Sequence, residues 1–293
     1  MEKLRYALFT GCTAKQSTPE QYMSTMAVAE KLGIELVELT EASCCGASHL
    51  QDYDDFLSLV LNARNIAYAE KHGLTMVTIC NTCQLNTAMT KHRLDNDEKL
   101  KARVNEKLEE VGLHYAGTSA ITHFLYAIID DIGLDKIAEM VVTPLSQFNI
   151  APFYGCHNIR PSELQNETHK NPESSYAPRS LDDLIIACGG KNVDYEEKNK
   201  CCGFHVELQA PHTSAILAGK AVSGAMDANA DWIVTPCPLC HLKLDTQTDH
   251  LSEAVGRDVA LPVLHMQQML GLALGCDRTT LGLQHHVEKV DFV

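Results

Sequence analysis

Ten cysteines in this 293-residue chain fall into two groups of five. The first is Cys12, Cys44, Cys45, Cys80 and Cys83, and the second is Cys156, Cys201, Cys202, Cys237 and Cys240. Each group holds a Cys-Cys-Gly triplet and a later Cys-x-x-Cys pair, and 34 residues separate Cys45 from Cys80 and Cys202 from Cys237 alike. Thiols at this density can bond one another, cycle as a redox dithiol, grip zinc or hold iron and sulfide. Adjacent cysteines do not readily bond each other, and a chain of this length needs no disulfide staples to fold. A dithiol of the thioredoxin kind would use only the Cys-x-x-Cys pairs and leave three cysteines per half without a role. Structural zinc closes with four ligands, so a fifth thiol in both halves is surplus. Iron–sulfur clusters take thiolates and contain several metal ions, which suits five sulfurs per group.

The elements that must position these groups repeat as well. An offset of 157 superposes the triplets and the pairs, and sets Met76-Val77-Thr78 on Ile233-Val234-Thr235, so the chain is an internal duplication. Tyr6-Ala7-Leu8-Phe9 and Ile150-Ala151-Pro152-Phe153-Tyr154 read as strands, each running into Gly-Cys. Further strands are expected over Ile34 to Leu39, Thr75 to Ile79 and Trp232 to Val234. Helical periodicity covers Tyr22 to Leu32, Phe56 to Ala67, Leu181 to Ala187 and Ala215 to Met226. Strands alternating with helices predict an α/β fold of two duplicated, Rossmann-like parallel-sheet lobes, residues 1–145 and 146–293, each carrying one cysteine module. Sites in such sheets form beyond the carboxyl ends of the strands, where Cys12, Cys80, Cys156 and Cys237 fall. A helical connector is expected from Asp97 to Met140, with Ile121, Leu125, Ile128 and Ile129 at helical spacing. The second half carries 13 extra residues between its first cysteine and its triplet, within the polar stretch Asn166 to Ser180. That stretch is either a lid or partner contact, or a tolerated insertion.

Composition narrows the function classes. Apolar residues at 45% support a full core, and a net charge of −14 argues against a general nucleic-acid binder. The amino-terminal apolar run is too short for a signal peptide, and no stretch of about 18 apolar residues runs uninterrupted by charge. The expected location is the cytoplasm, with the periplasm reached only if a partner carries the chain folded. Val263, Met266, Met269, Leu270 and Leu272-Ala273-Leu274 form an apolar helix suited to core packing, with a one-leaflet membrane anchor as the alternative. Cys188 and Cys276 read as free thiols outside the two groups, and His285-His286 as a solvated pair.

No Cys-x2-Cys-x2-Cys-x3-Cys-Pro run of ordinary cubane ferredoxins occurs. The two Cys-Cys-Gly modules, Tyr154-Gly155-Cys156-His157-Asn158-Ile159-Arg160-Pro161 and Cys237-Pro238-Leu239-Cys240-His241 instead resemble the cysteine-rich Cys-Cys-Gly domain family, the B-type subunit of heterodisulfide reductase above all. The similarity runs from Cys12 to about Gly282. It implies two non-cubane [4Fe-4S] clusters, one held by Cys12, Cys44, Cys45, Cys80 and Cys83, the other by Cys156, Cys201, Cys202, Cys237 and Cys240. It also implies reduction of a disulfide between the two clusters, one electron from each. Protonation of the products needs an acid, and His157 and His241, which follow ligand cysteines, are the candidates, with His205 and His49 nearby. The bland reading is that they hydrogen-bond sulfur or backbone. Having more histidines, the second lobe is expected to lead the chemistry. Arg160 could hold an anionic substrate group or pair with a carboxylate. No Gly-x-Gly-x-x-Gly follows a strand, so a flavoprotein subunit and a ferredoxin-like iron–sulfur subunit are expected as partners. The chain is also similar to the quinone-reactive E-type subunit of type E succinate dehydrogenases and methylmenaquinol:fumarate reductases, which keeps a quinone substrate and peripheral membrane contact open. A zinc-stabilised assembly module is the non-enzymatic alternative.

Overall fold

Short apolar runs that stop at a glycine, a cysteine or a histidine form the strands. The computed structural model describes residues 4–47 and 49–290. The first half runs β1 (Arg5–Phe9), α1 (Pro19–Lys31), β2 (Glu35–Glu38), α2 (His49–Tyr53), α3 (Asp55–His72), β3 (Met76–Thr78), α4 (Asn81–Asn96), α5 (Glu98–Glu109), β4 (Ile121–His123), α6 (Phe124–Asp131) and α7 (Leu134–Met140). The second runs β5 (Asn149–Pro152), α8 (Gln165–Thr168), α9 (Ser180–Ala187), β6 (Lys191–Asn192), α10 (Pro211–Asp227), β7 (Trp232–Thr235), α11 (Pro238–Asp245), α12 (Thr248–Val255), β8 (Val263–His265) and α13 (Met266–Ala273). Each half builds one four-stranded parallel sheet, in the orders β2-β1-β3-β4 and β6-β5-β7-β8. The central strands are buried on both faces, as their continuous apolar sequence requires. Local signals set the helices. Pro19 occupies the first turn of α1, while Asp54 accepts the Leu57 N–H at 2.9 Å and Gly73 closes α3 at φ 63°.

The expected connector from Asp97 to Met140 requires correction. Ile121 belongs to β4, which pairs with β3 and completes the first sheet, while Leu125, Ile128 and Ile129 lie on α6. A three-residue strand is too short to show alternation, and the apolar start of α6 follows it without a break, so the two merge into one apparent helical period.

Two buried clusters each draw side chains from both sheets. Helix α13 packs on α1 and α6 packs on α9, so each half covers a helix of the other. Tyr6, Leu8, Phe124 and Ile128 of the first half join Ile150, Trp232, Leu264 and Leu270 of the second in one buried cluster. Met266, Met269 and Leu270 are fully enclosed, so the apolar helix near the carboxyl end is core and not a membrane anchor. Among the described residues no helix is long and apolar enough to cross a membrane. The inserted stretch of the second half lies against the first half. His169 stacks on Tyr126 at 3.9 Å, and Lys170 N–H and the Asn171 amide donate to Asp130.

Candidate metal centre

Every strand of the two sheets except β2 and β6 delivers a chemically active residue directly at its carboxyl end. Strand β1 leads into Gly11-Cys12, and β5 leads into Gly155-Cys156. Cys80 and Cys237 sit at the N-caps of α4 and α11, with Cys83 and Cys240 in the first turns, where helix N-terminal N–H groups favour thiolate. The loops after β2 and β6 carry the Cys-Cys-Gly triplets. In both triplets the glycine adopts φ 85° and its N–H points at the first cysteine, at 3.4 Å for Gly46 to Cys44 Sγ and 3.3 Å for Gly203 to Cys201 Sγ. Asn62 and Asn86 donate to the Cys45 carbonyl, and Ser214 to that of Gly203.

The sulfurs converge as the spacing predicts. Cys12 Sγ lies 3.5 Å from Cys44 Sγ, and Cys45 Sγ lies 3.6 Å from Cys83 Sγ. In the second half Cys156 contacts Cys201, and Cys202 contacts Cys240. Across the halves, Cys80 and Cys237 stand close enough for each to shift the other's ionisation, so the two groups share a wall. Crowding sets the charges. Hydrogen bonds from Cys44 and Cys83 favour the Cys45 thiolate, and those from Cys156 and Cys202 favour Cys201. Burial would raise Cys237, but bonds from Cys240, Cys80 and the N–H groups of Cys240 and Asn81 outweigh it and favour its thiolate. Their neighbours Cys83, Cys156 and Cys240 are pushed up, because more thiolates cannot gather without positive charge. An iron–sulfur cluster supplies that charge, and the donor set is all sulfur. The cradle is shaped for it. A Cβ on Gly11 would stand 2.8 Å from Cys83 Sγ, and one on Gly155 2.8 Å from Cys240 Sγ. Cys12 and Cys44 are exposed and Cys156 and Cys201 half-buried, whereas the other six are buried.

Three of the expected histidines meet where the halves join. Thr82, between the two cysteines of the first Cys-x-x-Cys, sets its hydroxyl 3.0 Å from His157 Nδ1 and 3.2 Å from His205 Nε2. The His157 and His205 rings stack at 4.6 Å, and His49 lies 5.8 Å from His205. Burial lowers the pKa of His157, and that of His205 to about 4, so both are neutral near pH 7. Among the described residues, His49 Nε2 and His205 Nδ1 are buried without a partner, two polar atoms that a bound molecule could meet.

His241 is elsewhere, enclosed in a second cluster with Glu20, Asp245, His265 and His286. The expectation of a solvated His286 is therefore corrected: its side chain is sealed, 3.3 Å from His241 Nε2, because the chain after α13 folds back over α11. Arg160 lines a separate cavity of about 570 Å³ in which Lys198 pairs with Asp182 and Asp194, Lys200 with Glu196, and Arg179 with Asp183. Among the described residues Arg160 forms no ion pair, and its guanidinium donates to the Ser175 carbonyl at 3.3 Å. Cys188 is buried in the core, which raises its thiol to about 12, and Cys276 is half-buried; neither joins a sulfur group. Sequence reasoning missed His123 and His265, which end β4 and β8 and cap α6 and α13. Their common signal is Ile121-Thr122-His123 against Val263-Leu264-His265. Its offset of 142 differs from the 157 of the cysteines, because the first half has a longer segment before its fourth strand.

Comparison with known proteins agrees with this architecture. The cysteine-rich (CCG) domain family matches residues 6–87 and again 150–245. The chain is 36% identical to the 8-methylmenaquinol:fumarate reductase membrane anchor subunit of Wolinella succinogenes, over 96% of each. It is 34% identical to the B-type subunit of the ferredoxin/F(420)H(2)-dependent CoB-CoM heterodisulfide reductase of Methanosarcina acetivorans, over 99% of this chain and 96% of that one. A hypothetical protein from Helicobacter pylori, at 19% identity, has the same fold with a TM-score of 0.79; this chain spans 53% of its length.

Proposed function

The chain belongs to the cysteine-rich (CCG) domain family, and on that premise we propose that it is the iron–sulfur redox subunit of a heterodisulfide-reductase-like complex. It works there on a disulfide or dithiol. The observation that carries this reading is the meeting of two five-thiol groups at Cys80 and Cys237. Five thiols exceed the four that an ordinary cubane takes, which supports one non-cubane [4Fe-4S] cluster in each half. A bound cluster supplies one electron at a time and iron that can take sulfur.

The chain's own residues supply the rest. Reducing a disulfide to two thiols consumes two electrons and two protons. Thr82 can donate to one of His157 and His205 while accepting from the other, so a proton reaches either ring through one hydroxyl. Burial keeps both rings neutral, leaving each with one N–H to give and one lone pair to refill. Arg160, which forms no ion pair among the described residues, would hold an anionic part of the substrate. His241, sealed beside Cys240, would act on the second cluster's surroundings and not on the substrate. Electrons would come through a ferredoxin-like subunit and a flavoprotein, at a cytoplasmic location with peripheral membrane contact.

A second reading, quinol-linked electron transfer, is favoured by the similarity to the menaquinol:fumarate reductase anchor. Anaerobically reconstituted protein, reduced with a viologen dye, separates the two. The first reading expects about eight irons and eight sulfides per chain and dye oxidation that requires a heterodisulfide. Oxidation supported by a quinone alone would establish the second reading. A colourless protein without sulfide would remove both.

A further inference from the structure

Behind the second sulfur group lies a buried set of ligands that the disulfide chemistry does not use. His241, Asp245 and His286 offer one nitrogen, one oxygen and one nitrogen within mutual reach, and all three side chains are enclosed. His241 Nε2 is 3.3 Å from His286 Nδ1 and 3.9 Å from Asp245 Oδ2, and His286 Nδ1 is 3.8 Å from Asp245 Oδ1. Ligand atoms around a tetrahedral zinc, at roughly 2.0–2.1 Å from it, stand roughly 3.3–3.4 Å apart. The triad therefore needs to close by about half an ångström on two edges to meet that geometry.

The surroundings orient these ligands as metal sites do. Gln268 Oε1 accepts the His265 backbone N–H at 2.9 Å while its Nε2 donates to the Leu281 carbonyl, which fixes the amide's direction. His286 Nε2, 3.0 Å from that same oxygen, must then carry the proton, leaving Nδ1 with a bare lone pair facing His241 and Asp245. Each Asp245 oxygen accepts one backbone N–H, from Val263 and from Val287, and keeps a lone pair free. Glu20 and His265 form an adjoining triad with the same His241.

Charge makes the same point. Two fully buried carboxylates, Asp245 and Glu20, have only histidines as ion-pair partners among the described residues. A buried anion without a cation is costly. Among the described residues the first half has no such set: Gln84 and Ala88 stand where the second half has His241 and Asp245. The fold itself therefore does not require it.

We propose that His241, Asp245 and His286, with the Glu20–His265 pair alongside, bind a divalent first-row metal ion such as zinc, separate from the cysteine centres. This inference stands independently of the disulfide reading.

The test is zinc binding by anaerobically reconstituted full-length protein, desalted after incubation with zinc and analysed for zinc, iron and sulfide. About one zinc per chain is expected, with an absorption-edge shell of nitrogen and oxygen near 2.0–2.1 Å and no sulfur near 2.3 Å. His286→Ala and Asp245→Asn should lose this zinc while retaining iron and sulfide, and the exposed neighbour variant His285→Ala should keep it. Gln268→Ala leaves every ligand in place and should weaken zinc binding about 10–100-fold, a readout that survives if a ligand variant does not fold. Wild-type protein without zinc, a sulfur shell around the zinc, or equal zinc in the variants would overturn the proposal. Absence of sulfide would count against the cluster reading alone.

Discussion

At the scale of single residues, two glycines and two histidines decide the most. Gly11 and Gly155 hold φ 67° and 66° and leave room for Cys83 and Cys240. An L-residue there costs roughly 1–2 kcal/mol in backbone alone, and its Cβ enters the sulfur's space. Gly11→Ala is expected to halve the iron and sulfide content by emptying the first site, and Gly155→Ala to halve it by emptying the second. Full iron content in either variant would show that the cradle is looser than its contacts indicate. His157→Ala should lower disulfide-dependent turnover on the order of 100-fold, with a larger deficit at alkaline pH, where protons are scarce. Thr82→Val should reproduce part of that loss without changing iron content, since it breaks the contact to both rings and removes no ligand. A flat pH profile in both variants would leave these histidines as supports for the sulfurs only.

At the scale of elements, the strand–helix junctions carry the predictions. His123 ends β4 and accepts the Leu125 N–H at 3.1 Å, and burial lowers its pKa to about 4. The unfolded histidine binds protons near pH 6.5, so between these two values the unfolded chain holds more protons than the folded one. Stability contributed by this residue is therefore present above about 6.5 and lost as the pH falls towards about 4, on the order of 3 kcal/mol. Urea midpoints measured across that window should decline with acid, and the decline should be shallower in His123→Asn, which keeps a cap. An unchanged slope would mean that other groups account for it. Helix α13 offers a second test. Leu270 is fully buried, so Leu270→Ala should cost about 2–5 kcal/mol. An anchor helix lying on a bilayer would lose membrane affinity and keep its stability.

At the scale of the whole molecule, the halves are expected to unfold together, because α13 covers α1, α6 covers α9 and two buried clusters each span both. A single calorimetric transition of the metal-free chain would agree; two separable transitions would show that the duplication kept two independent units. The sequence by itself determined the duplication, the parallel α/β class and the two sets of five thiols. A Cys-Cys-Gly turn and a cysteine at a helix start are local conditions, and local conditions are written in the spacing. Strands β1, β3, β5 and β7 were readable because they are central and lie in continuously apolar runs, whereas β4 and β8 merge into the apolar helices that follow them directly and β6 spans only two residues. Only the tertiary structure decided that Cys80 meets Cys237, that Thr82 joins His157 to His205, and that His241 is enclosed with Asp245 and His286. Those contacts join residues 45 to 157 positions apart, apart from Asp245, one helical turn from His241. They depend on how two sheets and their covering helices pack, which no pattern within a single element records.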